Sequence, residues 1–459
     1  MGALGLRRVE VRGAVVDVHV VDGVVAEVAP RIVFPRNEEV LDGGGGALLP
    51  GLHDHHLHLL AMAAARRSVR VGPPEVLDHE GLVAALRVAD EALPPDAWLR
   101  AVGYHESVDG DLDRVRLDEI VARRPVRVQH RSGALWLLNT AALRAIGEGD
   151  EGDGRLFGAD GWLRDRLPPD DAPDLAAIGT ELSGYGVTGV TDATPVDRRE
   201  DLEVLAGACA RGDLPQDVQV TGGPSLAGCE VPAGLRRGPV KVLLADHRLP
   251  PLDEVVAWVR DAHRHGRPVA VHCVTREALI LALAAWETAG ARPGDRVEHA
   301  AIADGPLARR VSALGLTVVT QPGFIAERGD RYLVEVEPAD RPHLWPCRTL
   351  LEAGVAVAAS TDAPFGHPDP WRAVAAATTR RTAAGHRLGA EEAVDARTAL
   401  ALLLGTLTDP GGPPRRVRPG APADLCLLDL PLDDALAHPS AERVALTLQA
   451  GEVVHRRTP

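Results

Sequence analysis

Residues 50–59 read Pro50-Gly51-Leu52-His53-Asp54-His55-His56-Leu57-His58-Leu59. Four histidines fall within six positions, a density that packing alone does not require. In a strand, side chains of equal parity share a face. Asp54, His56 and His58 therefore lie on one side, and His53 and His55 on the other. Two imidazoles two residues apart can grip one metal ion, at Zn–N distances of about 2.0–2.1 Å. Parity leaves open which pair does so; the apolar Leu52 beside His53 points weakly to the His56 face as the polar one.

Outward from this stretch, short apolar, β-rich runs recur at 48–56, 187–192, 217–221, 240–244, 269–273, 296–300, 316–321 and 355–361. Helical patterns follow several of them, at 252–265, 275–289 and 306–314. Eight strands with α crossovers predict an α/β chain folded as a (β/α)8 TIM-like barrel, with an open doubly wound sheet as the alternative. The polar residues decide between them. Lys241, His272, His299 and Asp362 each sit at or just past the end of a different run. In a barrel such strand ends converge on one mouth, whereas in an open sheet they are strung along an edge.

Both termini read differently. Residues 9–28 alternate around Asp22-Gly23, a hairpin signal. Residues 423–429 and 444–454 are strand-like, with a turn at Ala450-Gly451. Together they predict a small β-sandwich domain built from 1–49 and 415–459, flanking a hydrolase-sized body at 50–414. The segment of about 60–183 is too long for one crossover and carries its own helical and β-like patterns. It is expected to be a lobe inserted after the first strand, over the mouth. Gly43 to Gly46 lacks the GxGxxG spacing and reads as a flexible entry to that strand.

The 459 residues are 45% hydrophobic and 25% charged, an ordinary globular composition. A formal net charge of −15 argues against nucleic acid and anionic membrane surfaces as partners. No apolar run approaches the roughly 18 residues of a membrane span, and residues 1–10 lack the apolar core of a signal peptide. Cys209, Cys229, Cys273, Cys347 and Cys426 are scattered and form no CxxC, which fits a reduced, cytoplasmic protein. Lys241 is the only lysine, against forty-nine arginines. Where arginine serves every other basic position, a surviving lysine suggests a task that guanidinium cannot perform.

These residues resemble the amidohydrolase superfamily, in particular the branch similar to N-substituted formamide deformylases. That family opens its barrel with Pro-Gly-x-x-Asp-x-His-x-His, which residues 50–58 fit, and the resemblance selects His56 and His58 as metal ligands. It implies further ligands at His272 and His299, a metal-bridging carbamate on Lys241, and Asp362, within Ser360-Thr361-Asp362-Ala363-Pro364, as the residue that activates water. Smaller matches are Asn139-Thr140-Ala141-Ala142-Leu143, Gln321-Pro322 and Gly420-Ala421-Pro422-Ala423-Asp424-Leu425. The chain departs from the pattern at Thr275-Arg276, at Ser132-Gly133-Ala134, and at Asp246, one place late after the lysine.

The implied reaction is hydrolysis of a non-peptide carbon–nitrogen bond, an amide or formamide, in a small molecule. One or two divalent metals are expected, zinc by default, to lower the pKa of water to about 7 and polarise the carbonyl. Lys241, His299 and Asp362 carry the chemistry, with Asp362 passing the proton from water to the leaving nitrogen. Tyr104, Trp136, Asn139, Gln321 and Phe365 are candidate substrate contacts, with His105, Arg131, Arg328 and Trp345 also on segments expected near the mouth. The partner expected is the small-molecule amide, with a homodimer left open. Two alternatives stand. One is hydrolytic deamination of an aminated heterocycle, which wants an acid such as Glu277 or Glu298, although parity points Glu298 out of the barrel. The other is a non-enzymatic metal-binding regulatory protein, whose mark, a lost ligand, is absent.

Overall fold

The run expected as one strand over 48–56 is broken at Gly51. Leu48–Pro50 pairs antiparallel with Leu425–Leu428, while Leu52–Leu57 (β1) enters a parallel sheet. Only glycine fits at the junction: a Cβ on Gly51 would lie 2.2 Å from the Thr188 side chain. The computed structural model describes residues 2–149, 152–168, 172–195, 198–245 and 248–457.

The remaining parallel strands are Val187–Asp192 (β2), Asp217–Val220 (β3), Val240–Leu243 (β4), Val269–Cys273 (β5), Arg296–His299 (β6), Thr317–Thr320 (β7) and Ala356–Ala359 (β8). One sheet runs β1, β2, β3 and the short strand Leu235–Arg237; the other runs β4 to β8 in chain order. Backbone bonds also join the ends of the two sheets. Lys241 N–H donates to Gly222 O (2.8 Å), Asp362 N–H to His56 O (2.8 Å) and His58 N–H to Ala363 O (2.8 Å). The strands are near-continuous apolar runs, the pattern of parallel strands covered on both faces. Helices lie between them as expected. Leu252–Arg264 buries Val255, Val256, Val259 and Ala262 along one stripe, Arg276–Ala289 is capped by Thr275, and Gly305–Ala313 is capped by Asp304.

The termini form two four-stranded sheets. One holds Val24–Ala29, Ala14–Val21, Ala3–Val11 and Glu39–Asp42; the other holds Glu452–Arg456, Val444–Gln449, Leu425–Leu428 and Leu48–Pro50. Leu6, Val18 and Val20 from the first share one apolar core with Leu425, Leu427 and Leu448 from the second. Asp22 and Gly23 both take left-handed φ (48° and 78°), the geometry of a tight hairpin turn.

The chain divides into two compact units, Leu60–Asp174 and the rest. Leu60–Asp174 has its own five-stranded sheet, in the order Arg155–Phe157, Leu135–Leu138, Val126–His130, Leu99–Tyr104 and Val69–Arg70, and its own core around Leu82, Leu86, Leu99 and Val128. The expected lobe end at Ser183 falls inside helix Leu175–Gly184, which groups with the larger unit. That helix buries Ile178 and Leu182, and Thr447 Oγ1 donates to Ser183 O (2.7 Å).

Candidate active site

The C-terminal ends of β1, β5, β6 and β8, with the second residue of β4, bring together His56, His58, Lys241, His272, His299 and Asp362. His56 Nε2 lies 3.4 Å from Lys241 Nζ and 3.5 Å from Asp362 Oδ1. His58 Nε2 lies 3.2 Å from the same Asp362 oxygen. His56, His58 and Asp362 each offer one ligand atom, all within 4.8 Å of one another. The His272 ring centroid is 4.4 Å from that of His299, which is 4.8 Å from that of His56.

The neighbours of these rings decide which nitrogen is free. His56 Nδ1 faces Glu298 Oε2 at 2.5 Å. Burial opposes the charge on Glu298, but its charged neighbours, the Arg296 guanidinium first among them, outweigh it and hold the carboxyl below its ordinary value. An ionised carboxylate only accepts, so Nδ1 carries the proton and Nε2 presents its lone pair. His299 follows the same rule. Gln321 Nε2 donates to Ser360 Oγ (2.8 Å), so its Oε1 is left to accept from His299 Nδ1 (2.8 Å). His299 Nε2 is then buried without a partner. His58 Nδ1 meets Thr194 Oγ1 at 3.0 Å, and Thr194 is placed by Asp192, whose carboxylate accepts from Thr194 N (3.0 Å) and Leu59 N (2.8 Å). Imidazoles held at Nδ1, with Nε2 turned to the other donors of the cluster, are what a metal centre requires. The donor set, with its orphaned His299 nitrogen, fits a divalent ion.

Lys241 is 2% exposed, and burial pushes its amine below the ordinary lysine value. Burial likewise lowers His272 to about 3 and keeps His56 and His299 neutral at physiological pH. Asp54, expected on the His56 face, instead ties β1 to the strand-eight loop: it accepts from Thr361 Oγ1 (2.5 Å), Thr361 N (3.2 Å) and His56 N (3.2 Å).

Parity misplaced Glu298. It was expected to point outward because His299 was to face inward, yet both reach the centre. The strand stops alternating there, since His299 and Ala300 take φ of 73° and 47°. Asp362 is also left-handed, at 57°. Such conformations cost non-glycine residues about 1–2 kcal/mol each and collect at functional sites. An acidic residue two places after an arginine inside an apolar strand was the available signal: Arg296 Nε donates to Glu298 Oε1 at 2.6 Å, both side chains being buried.

The candidate substrate contacts divide. Phe365 packs edge-on to His58 (5.4 Å), and Arg328 donates to the Phe365 carbonyl while stacking on Phe324 (4.0 Å). Trp345 lies 6.2 Å from His299. Gln321 is spent orienting His299. The others belong to the Leu60–Asp174 unit. Asn139 is wholly buried there: its oxygen accepts from Val126 N and Ala142 N, and its amide donates to Val121 O and Arg124 O. With every polar atom engaged it is a helix cap, and the expectation of a substrate contact is withdrawn. Trp136 donates to Asp160 (2.9 Å) beneath Arg100 and Arg127, and Tyr104 donates to Gly110 O (2.7 Å). His105 caps helix Glu106–Asp109, and Arg131 N–H donates to Tyr104 O (2.9 Å). Asp246 lies outside the described residues.

A centre of this kind at parallel strand ends places the chain among the metal-dependent hydrolases. The chain belongs to the amidohydrolase family, whose pattern matches residues 39–455. It is a hydrolase acting on carbon–nitrogen bonds other than peptide bonds. It is 25% identical to an N-substituted formamide deformylase of Arthrobacter pascens, over 99% of this chain and 97% of the relative. Its fold is similar to that of an uncharacterized metal-dependent hydrolase from Pyrococcus horikoshii (TM-score 0.73, 20% identity, covering 93% and 97% of the two chains). N-isopropylammelide isopropylaminohydrolase from Burkholderia multivorans also has a similar fold (TM-score 0.55, 19% identity, 99% of each chain). Among the described residues, no helix is long and apolar enough to cross a membrane.

Proposed function

We propose that this protein hydrolyses the amide or formamide bond of a small molecule at a divalent metal centre held by His56, His58, His272 and His299, with Lys241 and Asp362 completing it. The observation that carries the reading is the proton arrangement: Nδ1 of His56 and His299 is committed to Glu298 and Gln321, which leaves His56 Nε2 to face Lys241 and Asp362 and His299 Nε2 without a partner. The likeness to the formamide deformylase supports the substrate class. β1 to β8 are read as a closed (β/α)8 barrel, supported by the bonds that join the two sheets at both ends. The terminal sheets are read as one composite β-sandwich domain, supported by their common core.

When bound, one or two divalent ions, zinc by default, supply an acidified water and a polarised carbonyl. The chain does the rest. Asp362 takes the proton of the attacking water and delivers it to the leaving nitrogen, so that the C–N bond breaks as a neutral amine departs. Its left-handed backbone aims Oδ1 at His56 and His58. The lowered pKa of Lys241 favours the neutral amine. That amine attacks carbon dioxide, forming one C–N bond and releasing one proton, and the resulting carbamate offers two oxygens to the centre. Glu298 orients His56, and Gln321 orients His299.

Deamination of a heterocycle would need a free acid near the ring. Glu298 is engaged by His56 and Arg296, and Glu277 is exposed on helix Arg276–Ala289. The test is to strip the purified protein of metal, reload it with zinc, and assay N-alkyl formamides, N-acyl amines and aminated heterocycles. Amide or formamide turnover that vanishes on stripping and returns on reloading is expected. Turnover confined to aminated heterocycles would overturn the substrate reading.

A further inference from the structure

The opposite ends of the strands hold a cavity of about 480 Å³ that the hydrolytic reading does not use. Its wall includes His53 at the start of β1, Arg236, Arg415, Arg416, Arg418 and Asp424. His56 lies three residues further along β1, about 10 Å away at the rise of a strand, and His58 lies just past the end of that strand.

The charges around this cavity do not cancel. Four arginines face two aspartates, Asp217 and Asp424, in a chain whose formal net charge is −15. Asp217 is taken up by Arg236 (Nη2 to Oδ2, 2.9 Å). Asp424 accepts from Ala450 N (2.8 Å), and burial raises its carboxyl above the ordinary value. Arg415 is fixed by main-chain carbonyls, donating to Gly51 O and Gly405 O, with Asp424 and Asp217 as its counter-charges. Arg416 makes no hydrogen bond or ion pair with a described residue, and Arg418 reaches only Pro419 O, at 3.5 Å. His53, 7% exposed, lines the same cavity.

Three cations within four positions, one of them rigidly held, border a concave space whose volume suits a small molecule. Guanidinium groups match carboxylate and phosphate oxygens through paired donors. We infer that this cavity is a binding site for a small organic anion, a carboxylate or phosphate, separate from the metal centre. The anion supplies the charge that Arg416 and Arg418 lack, beside the fixed guanidinium of Arg415. The inference does not depend on the identity of the amide substrate.

The test is calorimetric titration of the metal-loaded protein with succinate and, separately, with glycerol 3-phosphate. One of them should bind once per chain with a Kd below about 1 mM. The double variant Arg416→Ser/Arg418→Ser, altered at exposed positions, should weaken that binding by about tenfold or more while leaving hydrolysis unchanged. Preference for succinate identifies a carboxylate site; preference for glycerol 3-phosphate identifies a phosphate site. Binding of neither below about 10 mM would overturn the inference. So would binding that is as tight in the double variant as in the parent, because the anion would then be at the metal centre or elsewhere on the surface.

Discussion

Glu298→Gln isolates the carboxylate behind His56. In the parent, Oε2 stands 2.5 Å from His56 Nδ1 and Oε1 accepts from Arg296 Nε at 2.6 Å, with all three groups buried. Glutamine keeps an acceptor of similar shape but removes the negative charge that makes Nε2 a stronger donor to metal. Loss of such a partner behind a ligating histidine costs about 10–100-fold in metal affinity, or about 1.4–2.7 kcal/mol. Glu298→Ala would be a poorer probe, since leaving Arg296 and His56 unpaired in the interior costs about 3–5 kcal/mol of stability. The assay is competition with a chelator of known affinity, paired with thermal unfolding of the metal-free forms. Weaker metal binding in the glutamine variant, with a cooperative unfolding transition retained, is expected. Affinity within twofold of the parent in folded variant protein would refute the assignment of Glu298 as the residue that positions His56.

Other changes separate the remaining roles. Asp362→Asn should retain metal yet lower turnover by about 10²-fold or more, the scale of a lost general base; a loss of only a few-fold, read by steady-state kinetics, would remove it as the proton carrier. Lys241→Arg should be inactive because guanidinium stays protonated, with a pKa of about 12.5 or more, and cannot form a carbamate; near-parent activity would exclude that modification. Arg328→Ala should raise KM for carboxylate-bearing amides by about tenfold while sparing neutral ones, since a charged hydrogen bond is worth about 1.5–3 kcal/mol; equal effects on both would leave Arg328 a packing residue. Burial pushes His55 and His272 down to about 3. As pH falls from about 6.5 toward 3, the unfolded chain takes up protons that the folded chain refuses. The metal-free protein should therefore lose stability over that interval, and a Tm flat from pH 7 to 4 would contradict it.

The residues of the proposed metal centre were legible because most obey a local rule: a chemically active side chain at the end of an apolar run. Asp362 follows Ser360-Thr361, and His272 closes Pro268-Val269-Ala270-Val271. Glu298 was not legible, because the left-handed turn at His299 breaks the two-residue period on which parity depends. Gln321 and Asn139 were read as substrate contacts because polar residues beside motifs look free in a sequence. Their amides are consumed by His299 and by main-chain groups that only the fold brings near. The need for glycine at 51 was hidden for a similar reason, since it answers to Thr188, 137 positions away.

The central claim is a metal held by His56 and His58, and it is tested most directly by diffraction from metal-loaded crystals at the absorption edge of zinc. The account predicts an anomalous peak about 2.0–2.1 Å from the Nε2 atoms of both histidines, with His299 Nε2 turned toward the same centre. Hydrolytically active crystals with no peak at those nitrogens would contradict it.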